Sequence, residues 1–153
     1  MQNQAQIYEA HHDAFTISTS LDRLDLDVIH GFLYECYWAR GIPKDLVLTS
    51  IRNSFCFGIY HLDAQIGFAR VITDYVSHAY LCDVFVIEGH RGQGLGRWLI
   101  EYVTSYPELQ GIQRLMLATE DTHDFYREHG FQELSDAHKY MERLYDWPRY
   151  KER

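Results

Sequence analysis

The sequence predicts an α+β domain built on one mixed sheet. Three observations carry that reading. Short apolar strands separated by polar turns follow one another through residues 55–87. A strand–helix–strand crossover then spans residues 83–119. Between that first strand and its helix stands a loop holding Gly92, Gly94 and Gly96.

Element by element, "AFTIST" (14–19) reads as a first strand. From Asp25, Leu26, Ile29, Leu33 and Tyr37 recur at helical spacing, which predicts a helix ending near Gly41. Pro43 at a first helical position opens a second helix, "PKDLVLTSI", with Leu46 and Ile51 inward. "FCFGIY", the polar "HLDAQ" and "IGFARVIT" make a β-hairpin, and "AYLCDVFVI" supplies the next strand. After the glycine loop, "GRWLIEYVTSY" is an amphipathic helix and "RLMLAT" a short strand parallel to "LCDVFV". "HDFYREHG" is a short helix stopped by Gly130. "FQEL" and "KYMERL" are candidate terminal strands.

With 153 residues the chain fits a single domain, with a core over about 10–145 and terminal segments 1–9 and 146–153. A net charge of -8 argues against nucleic acid as the main partner and favours encounter with cations. Cys36, Cys56 and Cys82 are odd in number and lack close pairing, which fits free thiols. The N-terminus shows no signal-peptide pattern and no stretch is apolar enough to span a membrane, so a cytoplasmic location is expected. The nine histidines give no zinc-like spacing, so no metal is expected.

Glycine at a helix start costs about 1 kcal/mol against alanine, so three of them point to close approach of something to the backbone. Unpaired N–H groups and the positive end of a helix dipole suit a phosphate or pyrophosphate there, with Arg91 and Arg97 adding charge. The dinucleotide pattern G-x-G-x-x-G fails, because Arg97 and Trp98 follow Gly96. The P-loop also fails, because Leu95 stands where lysine is needed.

What remains, "RGQGLG", resembles the acetyl-CoA pyrophosphate signature [Q/R]-x-x-G-x-[G/A] of the GNAT superfamily of N-acetyltransferases, through Arg91, Gly94 and Gly96. "FYREHGF" (125–131) resembles the same family's F-Y-x-x-x-G-F. The resemblance is dense over the C-terminal half and rests on element order over the N-terminal half. It implies a three-layer α/β/α fold with a mostly antiparallel central sheet and two parallel strands splayed at the cofactor cleft. It implies acetyl-CoA as cofactor and transfer of its acetyl group to a primary amine, small or on a protein. Homodimers are frequent among relatives. A CoA-binding sensor without catalysis is the alternative.

By the same resemblance, the backbone of Val84, Phe85 and Val86 pairs with pantetheine, and residues 91–97, with Gly92, Gln93 and Leu95 among them, hold the diphosphate. Thr119, Phe125 and Tyr126 complete the cofactor site; Thr119 and Thr122 replace the family's frequent Asn and Ala. Tyr126 aligns with the tyrosine near the CoA sulfur; a phenol of pKa about 10 can donate to a thiolate of about 8.5. The positions where some members carry a base are Tyr80 and Cys82 here. Asp83 and Asp74 rank level as bases, with Glu120 a third carboxylate and a water chain the alternative. Strand alternation predicts that Asp83 faces away from Cys82. Tyr34, Tyr37 and Trp38, with Asn53 and Ser54, are the expected acceptor site, where aromatic faces can hold a cationic amine.

Overall fold

A computed structural model describes residues 6–145; the expected terminal segment 146–153 and residues 1–5 lie outside the described residues. Six strands form one sheet in the order of the chain: β1 (Glu9–His12), β2 (Phe15–Ser18), β3 (Phe55–His61), β4 (Ala64–Thr73), β5 (His78–Val86) and β6 (Arg114–Met116). All neighbours are antiparallel except β5 and β6, the parallel pair that the crossover predicts. Helices α1 (Leu26–Glu35) and α2 (Lys44–Arg52) join β2 to β3, α3 (Leu95–Ser105) joins β5 to β6, and α4 (His123–Arg127) follows β6.

Two cores sandwich the sheet. Ile29, Leu33, Val47 and Ile51 of α1 and α2 pack on Cys56, Phe68 and Phe85. Leu99, Ile100 and Val103 of α3 pack with Phe55, Phe57, Ile59 and Val71. The alternation of Phe68 with Ala69 and of Cys56 with its phenylalanine neighbours sends successive residues to opposite cores. A strand buried on both faces explains the unbroken apolar run "FCFGIY".

Four local expectations need correction. The first strand is a hairpin, β1 with β2, turning at Asp13 with φ 52°. The polar "EAHH" gave no apolar signal because β1 is the sheet's outer strand and mostly exposed. Glu9 therefore belongs to the sheet rather than to a terminal segment. The first helix stops at Glu35, since Cys36 turns extended and Gly41, at φ 80°, closes the following loop by donating to the Tyr34 carbonyl at 2.9 Å. On α2, Val47 is buried with Ile51 while Leu46 is half-buried, and Pro43 is the N-cap residue. Neither "FQEL" nor "KYMERL" forms a strand; the chain there is tied back by Arg114, whose guanidinium donates to both Asp136 carboxylate oxygens at 2.9 and 3.1 Å.

Candidate active site: one cleft with two chemically opposite arms

The parallel ladder between β5 and β6 ends at Tyr80↔Met116. Beyond it, residues 81–86 of β5 remain paired only with β4 among the described residues, and their other edge is open. Part of the splay originates in β5 itself. Register shifts between Phe68 and Arg70 of β4, so an extra β5 residue is accommodated, and Asp83 sits at φ 54°. A non-glycine residue in this left-handed region is uncommon, and aspartate is among those that tolerate it.

Two donor side chains, Trp38 and the cationic Arg70, hold the bulge at Asp83. Arg70 Nε donates to Asp83 Oδ2 at 2.8 Å, and Trp38 Nε1 donates to Asp83 Oδ1 at 3.0 Å. Arg70 also donates to the Ser54 hydroxyl at 2.9 Å. The ion pair is largely shielded, with 14% and 10% of the side chains exposed. Burial works against the Arg70 charge, yet Asp83 opposes it strongly enough to leave the guanidinium above its ordinary pKa.

The bulge corrects one expectation directly. It interrupts the period-two alternation, so Cys82 and Asp83 line the same cavity. Both Asp83 oxygens are engaged by donors, Trp38 on one and Arg70 on the other. Asp74 is also occupied: in the β4–β5 turn it accepts from the backbone N–H groups of Val76, Ser77 and His78 and from the Ser77 hydroxyl. The Ser77 hydrogen bond, followed by those N–H groups, holds its carboxyl far below the usual carboxylate range, and it does not line the cleft.

One arm of the cleft is a cavity of about 490 Å³ between the open edge of β5 and the start of α3. Val84, Phe85 and Val86 form one wall, and Arg91, Gly92, Gly94, Leu95, Gly96 and Arg97 another, with Phe125 and Tyr126 beside them. Gly92 and Gly94 lie at φ 78° and 79°, and a Cβ added to either meets nothing within 4 Å. Gly94 caps α3 and, being glycine, puts no side chain of its own before the helix's first amides. The backbone is therefore shaped for an anion and left clear for one. Arg91 Nε donates to the Val86 carbonyl at 2.8 Å, and its charge has no acidic partner among the described residues. Arg97 is paired with Glu128 at 3.0 Å, in an exposed contact. Gln93 does not line this cavity; Phe32 and His90, which the sequence reading passed over, do.

The other arm, also about 490 Å³, opens between β5 and the segment following β6. Tyr37, Trp38, Tyr80 and Cys82 meet Asp83, Glu120 and Asp121 around it. Thr119 lies here rather than in the arm beside the glycine loop, and hydroxyls of Thr119 and Thr122, 2.6 Å apart, close the turn that carries the two acids. Burial pushes the Cys82 thiol up to about 11, so it stays protonated at neutral pH. Three expected acceptor residues lie elsewhere. Tyr34 packs edge-on against His30, Asn53 donates to the Thr49 carbonyl at 2.9 Å, and Ser54 donates to the Ser50 carbonyl at 2.7 Å while holding Arg70. Asn53 and Ser54 are thus helix-end residues whose polar signal in the sequence reflects capping.

Val84, Thr122 and Tyr126 line both arms, so the two cavities meet there. Tyr126 stands at the junction, packed edge-on against Phe125 and Phe131. Burial raises its phenol to about 12. Neither motif residue around it is exposed enough to be a plain surface aromatic, and "FYREHGF" folds back through Phe131 N–H donating to the Tyr126 carbonyl at 3.2 Å.

A sequence model of the acetyltransferase (GNAT) family matches residues 6–131, and the chain belongs to that family. A Gibberella zeae protein carrying an acetyltransferase name is 32% identical over 130 residues, which cover 70% of this chain and 72% of that protein. Histone acetyltransferase TAP1 of Glycine max is 38% identical over 123 residues, 71% of this chain and 53% of that protein. A crystal structure of a GNAT-family protein from Xanthomonas campestris superposes with a TM-score of 0.83 at 42% identity, over 86% of this chain and 93% of that one. A GNAT acetyltransferase from Elizabethkingia anophelis, solved with acetyl-CoA bound, shares the fold at a TM-score of 0.62 and 15% identity, over 79% and 78% of the two chains. The enzyme is thus an acetyl-transferring member of a family that uses acetyl-CoA. Among the described residues no helix is long and apolar enough to cross a membrane.

Proposed function

We propose that this chain is one N-acetyltransferase domain that moves an acetyl group from acetyl-CoA to a primary amine by direct attack, both substrates being bound together. The observation that carries this is the meeting of two arms at Val84, Thr122 and Tyr126. A fork with one basic and one acidic arm favours two ligands side by side over one ligand at a time.

In this reading the amides of residues 92–96 and the Arg91 guanidinium hold the diphosphate, and the open edge of Val84 and Phe85 offers main-chain partners to the pantetheine amides. Acetyl-CoA supplies an acetyl group already activated as a thioester. Tyr126 keeps its proton across the working pH range, because its phenol is raised to about 12. Against a thiol of about 8.5, full proton transfer from it is uphill by about three to four units, so its Oη stabilises negative charge at the junction chiefly as a hydrogen-bond donor. That refines the simpler expectation of a tyrosine acid.

The amine proton leaves by another route. With Asp83 anchored, Asp74 in a turn and Cys82 protonated, no carboxylate or imidazole among the described residues lines both arms at the junction. The acidic arm is open to solvent, and water takes the proton. An alkylammonium of pKa about 10.4 is about 0.4% neutral at pH 8, so the rate rises with pH through this range.

Thiol release with acetyl-CoA and an amine, corrected for hydrolysis, tests the reading. Intersecting initial-velocity lines are expected when both substrates are varied; parallel lines would replace the proposal with a covalent acetyl-enzyme. Thermal protection by acetyl-CoA without acetylation of any amine would make the domain a cofactor sensor instead.

A further inference from the structure

We propose that the acceptor is a small aliphatic diamine or polyamine, a primary amine whose chain carries a second ammonium group. This rests on the acetyl-transfer reading above and concerns the acidic arm of the same cleft.

The lining of that arm contains three carboxylates, Asp83, Glu120 and Asp121, and no lysine, arginine or histidine. Arg70, behind the wall, neutralises Asp83. Glu120 and Asp121 have no cationic partner among the described residues. The same cavity is lined by uncovered aromatic surface: Tyr37 and Trp38 are 61% and 46% exposed and meet edge to face, with centroids 5.1 Å apart. Tyr80 adds a third ring, 39% exposed. Aromatic rings and carboxylates lining one cavity favour an organic cation.

The chemistry then separates cations from one another. A reacting nitrogen must be neutral to attack, so it cannot also be the positive charge that Glu120 and Asp121 attract. A monoamine poised for reaction leaves that charge unmet; a second ammonium on the same chain meets it. An acceptor with its own carboxylate is disfavoured, since the arm offers that group no cation. The net charge of -8 adds long-range attraction of the same sign preference.

The test compares 1,4-diaminobutane, 1-aminobutane and 4-aminobutanoate, together with a lysine-containing basic peptide. The expected order in kcat/KM is diamine above monoamine above amino acid, with the diamine ahead by about tenfold at low salt. That lead narrows as ionic strength rises. In Glu120→Gln/Asp121→Asn the diamine-to-monoamine ratio falls toward one. Calorimetric titration of the same amines onto the CoA-loaded protein reads the arm without turnover. Selective diamine binding without acetylation sustains this inference and overturns the transfer reading. Equal binding or turnover of diamine and monoamine overturns this inference and leaves the transfer reading standing. Higher kcat/KM for the peptide than for the diamine overturns the small-molecule assignment.

Discussion

The two arms of the cleft share one strand and differ in almost everything else. The arm proposed for the cofactor is lined by His90, Arg91 and Arg97 and by no carboxylate; the arm proposed for the acceptor is lined by three carboxylates and no basic residue. The first presents main chain at Gly92 and Gly94, both in left-handed conformation with open space where a Cβ would stand. The second is made of side chains brought from the α1–α2 loop, β5 and the turn after β6. A polyanion can be bound by amides almost independently of neighbouring residue types, whereas a cation needs carboxylates and aromatic faces put in place. Under the proposed function, the contrast would separate a general cofactor from a specific acceptor within a single continuous space.

Gly94→Val should separate the arms most sharply. The residue lies at φ 79° with open space around its Cβ position, so a branched side chain adds backbone strain and fills the anion cradle. CoA affinity measured by calorimetry should fall by about a hundredfold or more, corresponding to about 2.7 kcal/mol, while binding of a cationic amine stays within about twofold. Unaltered CoA affinity would mean that the cradle is misassigned.

Asp83→Ala should come next, acting on the wall common to both arms. It leaves the Arg70 guanidinium shielded and without its carboxylate, and denaturant unfolding should show a loss of about 3 kcal/mol. Replacing Arg70 by leucine as well should recover part of the loss. If the single and double variants lose equal stability, the pair does not hold the bulge.

Tyr126→Phe acts at the fork. Its kcat should fall by about tenfold to a hundredfold with CoA affinity nearly unchanged. The wild-type pH–rate profile should show no tyrosine inflection near 10, because burial holds this phenol at about 12. The sign for stability follows from the same shift. The unfolded chain loses this proton at about 10 and the folded one at about 12, so this contribution is complete below pH 10 and is lost as pH rises through that window. Urea unfolding at pH 9 and pH 11 should show a smaller decline in Tyr126→Phe than in the wild type.

The smallest effect belongs to Arg91→Ala. An exposed cation lending charge to a diphosphate should contribute about fivefold to tenfold in CoA affinity at low salt, shrinking as salt is added. A loss independent of ionic strength would point instead to its hydrogen bond with the Val86 carbonyl.

Legibility in the sequence follows the same division. The β3–β4 hairpin, the β5–α3–β6 crossover and the glycine loop were readable because each imposes its own local residue pattern: apolar runs, helical spacing, and glycine where φ is positive. The outer hairpin strand β1 escaped notice because a mostly exposed strand needs no apolar alternation. Tyr37 and Trp38 were recognisable as aromatics, but nothing near residues 37–38 indicates that Glu120 and Asp121 line the same cavity. Asp83 misled most directly. Its alternation is correct for a regular strand and fails at a bulge whose anchors, Arg70 and Trp38, are 13 and 45 residues away.

By itself, then, the amino-acid sequence determined the sheet's central strands, the crossover and the anion cradle, since these depend on contacts and backbone conformations within a few residues of one another. Tertiary structure alone decided where Asp83 faces, that Asp74 is enclosed in a turn, and that an acidic aromatic arm meets a basic one at Tyr126. Those outcomes depend on a register shift and on side chains converging from distant segments, and no local residue pattern encodes either.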